Sequence, residues 1–475
     1  MPFLIDFCLV VINMKNLLKK YFGDKQFYKT VFQIITPIML QQLLLSLAGY
    51  VDNLMINSYG GIGDYSAYNG VSAANRIIFV LNFTALGIAA TASIFISQYF
   101  GANNKDKVQE SFRLSLIFAV AFGIVSFLII EFFGHAIVDT YLQDASARNF
   151  GYRYLDVIKW ATTIQCLVMA FANALRSVKH TIEPMLAGFA GIAVNVLLNY
   201  LLIFGHWGLP EMDSAGAALA TLISRLVELV ILMAITLCST DSWFKGCLKR
   251  WKFDKQLVSS FVKKGVPLVA NEILWSLGNV LFVLFYCWQN DVWYNAYAYA
   301  QNISDLFFIA FAGLGNGTAV LVGSALGSGD FERAVDNCNK LKGLGLVMGL
   351  GLGALMAATS PLTVLLFQPD QETKSMVISI LCIVAVFLAI YSYNTVNFFV
   401  LRSGGDSLRA FILDQIPTYA IGIPLAILFG VNASSWGLAL PFVFSITHIS
   451  DIIKIFIGDK FVAKGKWIVN LTVKK

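Results

Sequence analysis

A single carboxylate, Asp52, stands near the far end of an apolar, helix-length run, ITPIMLQQLLLSLAGYVDNLMINSYG over 35–60. A charge placed there in hydrocarbon is expensive unless it faces a bundle interior or a wet cavity, so an intramembrane Asp marks a functional position by default. The blander reading is a helix-packing residue satisfied by its neighbours. At 3.6 residues per turn, Gln42, Ser46, Gly49, Asn53 and Asn57 share one face with Asp52 at its edge, and that face points at protein or water. Gln42 and Asn53 are therefore candidates to line a cavity. Asn195 and Asn199 stand one turn apart in GIAVNVLLNYLLIFG; two amides on one face can bind a cation through their carbonyl oxygens or join helices by hydrogen bonds. Thr221, Arg225 and Glu228 share a face farther on, where Arg225 and Glu228 are expected to form a structural ion pair.

In the second half Asn271, Glu272 and Asn279 fall in one span, Ser304 and Asp305 in the next, and Tyr391, Tyr393, Asn394 and Asn397 in a later one. Glu272, Asn279, Tyr391, Asn394 and Asn397 are the candidates for a cavity there. Glu272 lies five residues beyond Pro267, which places it near the surface. His448 is the one histidine well inside a span, and a lone histidine there is expected to be a hydrogen-bonded core residue.

The elements that must position these groups are membrane helices. Of 475 residues, 57% are hydrophobic and 13% charged, and mean hydropathy is +0.71, against roughly 25% charged in soluble proteins. Runs able to cross about 30 Å of hydrocarbon recur near 32–58, 72–100, 112–136, 152–176, 183–205, 214–239, 259–288, 299–326, 340–367, 374–402, 408–429 and 432–457, which makes twelve helices. Most of the 34 Lys and Arg flank the ends of the chain and the loops after even-numbered helices. Both termini are therefore expected in the cytoplasm. Residues 1–13 are too short to span and lack a basic leader; translation is expected to start at Met14, which makes 1–13 an upstream extension of the cytoplasmic segment 1–30.

The two halves repeat. Pro37 precedes Ser46-Leu47 by the spacing at which Pro267 precedes Ser276-Leu277, and Leu175-Arg176-Ser177 matches Leu401-Arg402-Ser403. Six helices per half make equivalent helices run the same way, so the expected architecture is an all-α membrane protein of two six-helix bundles, 31–240 and 259–458, related by a pseudo-twofold axis along the membrane normal. A basic linker, 241–258, joins them, and 459–475 forms a cytoplasmic tail. Two like bundles around a cleft suit a transporter, although weak repeats also occur in channels.

Several chemistries find no support. Seven scattered cysteines show no CxxC spacing, and there is no P-loop, HExxH, GxSxG or His/Cys cluster. No cofactor, metal centre or enzyme activity is expected, and the modest charge of +6 concentrates in loops as a topology signal, with no nucleic-acid partner implied. The run GLGLVMGLGLG (343–353) carries Gly345, Gly349 and Gly353 at four-residue spacing, a helix-packing pattern and not a nucleotide loop.

From Met14 onward the chain resembles the multidrug and toxin extrusion (MATE) transporters. The resemblance rests on YVDNLMI (50–56), ALRSVKHTIEPM (174–185), NVLLNYLLIFGHWGLPEMDSAGAALATLISR (195–225) and VLRSGGDS (400–407). It implies that Asp52 couples transport to a cation, with Asn195, Asn199 and Thr221 completing the set. Some members have Asp at the position of Asn199, so Asp52 is the one ionisable member here. The family's carboxylates in the seventh and tenth helices are matched loosely by Glu272 and, in the tenth, only by the amides Asn394 and Asn397. The resemblance further implies a monomer in the cell membrane's bilayer that exports small amphipathic organic cations or metabolites in exchange for inward H⁺ or Na⁺. Protonating Asp52 would rearrange its hydrogen bonds and bend the first helix at Pro37, with rocking of the two bundles. A lipid-linked glycan flippase of the same superfamily would need a more cationic cavity than Arg76 and Arg225 supply. A channel or a membrane-embedded enzyme is the remaining alternative.

Overall fold

Apolar runs capped by polar residues become helices whose length is set by the caps. The computed structural model describes residues 20–59, 64–238, 243–249, 252–288, 291–364 and 370–472; the extension expected over 1–13 lies outside these, as do 241–242 and 250–251 of the linker. Among the described residues, twelve helices are long and apolar enough to cross a membrane. They are α1 Lys25–Tyr59, α2 Ser66–Gly101, α3 Lys105–Tyr141, α4 Ala145–Ser177, α5 Ile182–Phe204, α6 Asp213–Cys238, α7 Lys255–Tyr286, α8 Asp291–Gly327, α9 Phe331–Thr363, α10 Gln371–Ser403, α11 Ser407–Val431 and α12 Leu440–Ala463.

Most exceed the apolar stretch that announced them, because hydropathy marks only the lipid-buried part. At the start of α3, Asn104 accepts from Lys107 N and the helix begins seven residues before the expected 112. Asp144 and Asp370 cap α4 and α10 in the same manner. Asp370 lies outside the spans, and hydrogen bonds from Thr373 and Glu372 hold its carboxyl below the usual carboxylate range.

The chain forms two compact units that do not follow the repeat halves. Unit 2 is Pro37–Ser276, while unit 1 combines Met1–Thr36 with Leu277–Lys475. The boundary in α1 thus falls at Pro37, which lacks the N–H that would continue the hydrogen-bond ladder. Residues 259–276 of α7, expected in the second bundle, group with unit 2. The described linker residues are also fixed to unit 2: Phe244 is fully buried, Arg113 Nη1 donates to Cys247 O at 2.9 Å, and Gln109 Nε2 donates to Trp243 O at 3.1 Å.

In unit 1 the glycine run of α9 lies against α10. A β-carbon on Gly349 would stand 2.5 Å from Ala389 Cα, so only glycine permits this approach. Gly349→Val is expected to lower stability by about 1–3 kcal/mol through overpacking, read as a lower melting temperature in detergent; Gly351→Val, where a β-carbon meets nothing within 4 Å, is the matched control.

Candidate functional site in unit 2

Three helices bring one carboxylate and its partners together. Asp52 sits two turns before the end of α1, Asn195 and Asn199 face it from α5, and Thr221 lies on α6. Asn199 Nδ2 donates to Asp52 Oδ1 at 2.5 Å. With the Asn195 amide oriented to satisfy both of its atoms, its nitrogen donates to Asp52 Oδ1 at 3.0 Å and lies 3.3 Å from Oδ2. The other Asn195 amide atom is then 3.4 Å from Thr221 Oγ1. Asn199 is 1% exposed, and its Oδ1 has no hydrogen-bond partner among the described residues. The carboxylate therefore meets amide donors, with an unused acceptor on the same side chain that holds it. That arrangement can stabilise either protonation state: Asn199 Nδ2 serves the carboxylate, and Oδ1, with the amide turned, would serve the carboxylic acid.

The polar surroundings continue along α6. Arg225 Nη1 lies 2.7 Å from Glu228 Oε2, and Glu228 is 2% exposed. Arg225 also acts electrostatically on Asp52. Tyr154 on α4 donates to Asn75 Oδ1 at 3.3 Å and is within electrostatic reach of the same carboxylate. Toward the opposite end of the unit, Arg176 donates to Gln41 Oε1 at 2.5 Å and feels Glu228, while Gln41 Nε2 donates to Pro184 O at 3.0 Å.

The structure places the other sequence candidates differently. Gln42 is half-buried and Asn53 exposed, while the adjacent Gln41 is drawn into unit 2 at 3% exposure. Glu272 is buried in unit 2, where its Cγ would lie 3.1 Å from a β-carbon on Gly87 of α2. Asn279, Tyr391, Asn394 and Asn397 belong to unit 1, so the five second-half candidates do not form one set within either unit. Three of them join α10 to α12: Asn394 Nδ2 donates to Asp451 O at 2.8 Å, Asn397 Nδ2 lies 3.4 Å from Asp459 Oδ1, and the Tyr391 hydroxyl meets His448 Nε2 at 3.2 Å. Among the described residues no group of three or more His, Cys, Asp or Glu could hold a metal ion.

Sequence reasoning missed Gln41, Arg176, Tyr154 and Asn75. The signal for Arg176 was present, since it is a cation within one turn of an apolar helix end, but it was read only as part of a repeated motif.

Comparison with known proteins follows the same outline. The MatE family model matches residues 37–201 and 267–428. The chain is 24% identical over 426 residues to the uncharacterized transporter YisQ of Bacillus subtilis (strain 168), covering 88% of this chain and 90% of that one. It is 24% identical over 451 residues to a probable multidrug resistance protein NorM of Thermotoga maritima, covering 92% and 93%. Among solved structures, a MOP superfamily transporter from Pyrococcus furiosus superposes with a TM-score of 0.83 at 17% identity, covering 94% of this chain and 98% of that chain. A MATE structure in complex with MaL6 gives 0.82 at 18% identity with the same coverage. The twelve-helix, two-bundle fold is shared with these proteins.

Proposed function

We propose, because this chain belongs to the MatE family of membrane transporters, that it is an antiporter exporting amphipathic organic cations or related metabolites in exchange for inward H⁺ or Na⁺. The single observation that carries the coupling is the donor-lined Asp52: one carboxylate, held by Asn199 at 2.5 Å, is the ionisable member of the polar set on α1, α5 and α6. Relatives named as multidrug resistance proteins support a broad organic substrate class.

Unprotonated, Asp52 accepts from Asn199 and Asn195. Once it takes a proton, its hydroxyl needs an acceptor, and the unused Asn199 Oδ1, with the amide turned, can supply one. Changing which amide atom faces α1 changes how that helix is tied to α5, and Pro37 is the place where α1 is least constrained by its own hydrogen bonds. Substrate release then follows from a shift in population between two arrangements whose affinities differ. On this reading H⁺ fits the donor-rich site better than Na⁺, which would require the amide oxygens to turn toward the ion. Both termini lie in the cytoplasm and the monomer is the working unit.

The test is efflux of ethidium from vesicles holding the purified chain, with a pH gradient and a sodium gradient imposed separately. Uphill efflux driven by the pH gradient alone is expected. Drive by sodium alone would replace H⁺ by Na⁺, and no efflux under either gradient, with the protein inserted, would move the reading to a narrow metabolite exporter or a lipid-linked glycan flippase.

A further inference from the structure

Unit 1 carries its own partly buried charged group on α11 and α12, separate from Asp52. Lys454 Nζ stands 3.1 Å from Asp414 Oδ1 and 3.3 Å from Asp451 Oδ1. The second oxygen of Asp451 lies 3.5 Å from His448 Nδ1, and the far nitrogen of that ring meets the Tyr391 hydroxyl at 3.2 Å. Phe387 and Phe444 enclose the imidazole with ring centroids 5.0 and 4.4 Å away, and His448 is 8% exposed.

Two carboxylates therefore share one ammonium. With a neutral imidazole the group holds one negative charge more than positive, which is costly in a medium of low dielectric. A proton on His448 removes the excess. Of the two resulting N–H groups, Nε2 already meets the Tyr391 hydroxyl at 3.2 Å, and Nδ1 stands at ion-pair distance, 3.5 Å, from Asp451 Oδ2. Lys342 of α9 and Arg409 of α11, cations on neighbouring elements, are each held by another carboxylate. From α7, Tyr286 holds Thr447 Oγ1 at 2.5 Å; from α8, the Tyr297 ring lies 5.7 Å from that of Tyr286, tilted by 52°, and Asp305 accepts from Gln301. Farther along, Asp459 pairs with Lys342 of α9 and Arg409 with Asp406. The charges acting on the His448 ring are those of Asp451 and Lys454.

The backbone is irregular at the same level. The α12 helix is interrupted at His448, between Leu440–Thr447 and Ile449–Ala463, and α11 opens into a π turn over Thr418–Gly422. Gly422 of that turn lies against Ser450, two residues past the histidine. Such irregular turns frequently sit at functional positions.

We infer that His448 is a proton-binding site of unit 1, charged by the excess negative charge of the Asp414, Lys454 and Asp451 group and seated at the break in α12. This holds whether or not Asp52 couples transport.

Solid-state NMR of the full chain in lipid bilayers, with ring-¹⁵N histidine, tests it directly. The chain has four histidines, and His135→Gln, His180→Gln and His206→Gln, all outside this group, assign the fourth signal by elimination. Between about pH 8 and pH 5, around the ordinary histidine range, the His448 ring is expected to pass from the neutral to the imidazolium pattern. In Asp414→Asn, where the excess charge is gone, it is expected to stay neutral over the same window. A wild-type ring that stays neutral throughout overturns the site, and a folded Asp414→Asn that titrates like wild type overturns the charge balance. The wild-type titration decides even if that variant does not fold.

Discussion

In Asp52→Asn, gradient-driven efflux is expected to fall by roughly 5–150-fold, the range spanned by a coupling free energy of about 1–3 kcal/mol, while the protein still inserts and folds. The amide has the shape of the carboxyl and keeps an oxygen for Asn199 Nδ2 to reach at 2.5 Å. It removes a charge that is expensive to hold in the membrane, so melting temperature should not drop. What it cannot do is change protonation, and the variant is held in the hydrogen-bonding state of one arm of the cycle. The informative comparison is Asn199→Ala. That variant loses a hydrogen bond to a charged group, worth about 1.5–3 kcal/mol, but keeps the carboxylate, so driven efflux should persist with a displaced pH profile. Proton-driven efflux at the wild-type rate in a folded Asp52→Asn protein would refute the coupling role.

Asp52 was legible because a carboxylate inside an apolar run is conspicuous without any partner. Its partners were not legible in the same way. Asn195, Asn199 and Thr221 stood out as polar residues on helix faces, but only an ordered match to a family joined them to Asp52, since amides and hydroxyls in membrane helices serve packing as readily as binding. The buried glutamine of α1, Gln41, stands beside the Gln42 that the face pattern singles out, with only about 100° of rotation between adjacent residues on a helix. Glu272 and the tenth-helix amides, grouped in the sequence, fall in different units. Repeats report which segments share a sequence pattern, whereas packing places residues 255–276 of α7 with unit 2. Of the group around His448 the sequence singled out only the histidine; the fold shows that one ammonium beside it faces two carboxylates. The glycine spacing of α9 was read correctly, because close approach of helices demands a small residue whatever the partner.

Trp467→Ala should destabilise unit 1 by about 3–5 kcal/mol, the usual cost of removing a large buried aromatic side chain. A hydrophilic, lysine-bearing segment over 459–475 reads as a solvated tail, but α12 runs to Ala463 and the chain then turns back onto the unit. Trp467 is 1% exposed and heads the largest fully buried side chains; its indole N–H donates to Val462 O at 2.9 Å. Its backbone lies against Gly404, at the end of α10, too closely to admit a β-carbon there, and Asn470 Nδ2 donates to Gly327 O at 3.3 Å at the end of α8. The segment after α6 behaves alike in unit 2, where Phe244 is fully buried with its ring 4.8 Å from that of Phe112. Each unit thus buries an aromatic side chain from the segment that follows one half of the repeat. Trp207→Ala is the control, since that residue is 83% exposed and such changes fall within about ±0.5 kcal/mol. Melting followed by size-exclusion chromatography should show Trp467→Ala losing its folded peak several degrees below wild type and Trp207→Ala coinciding with it. Equal melting of all three would mean that the tail's burial adds nothing to the stability of unit 1.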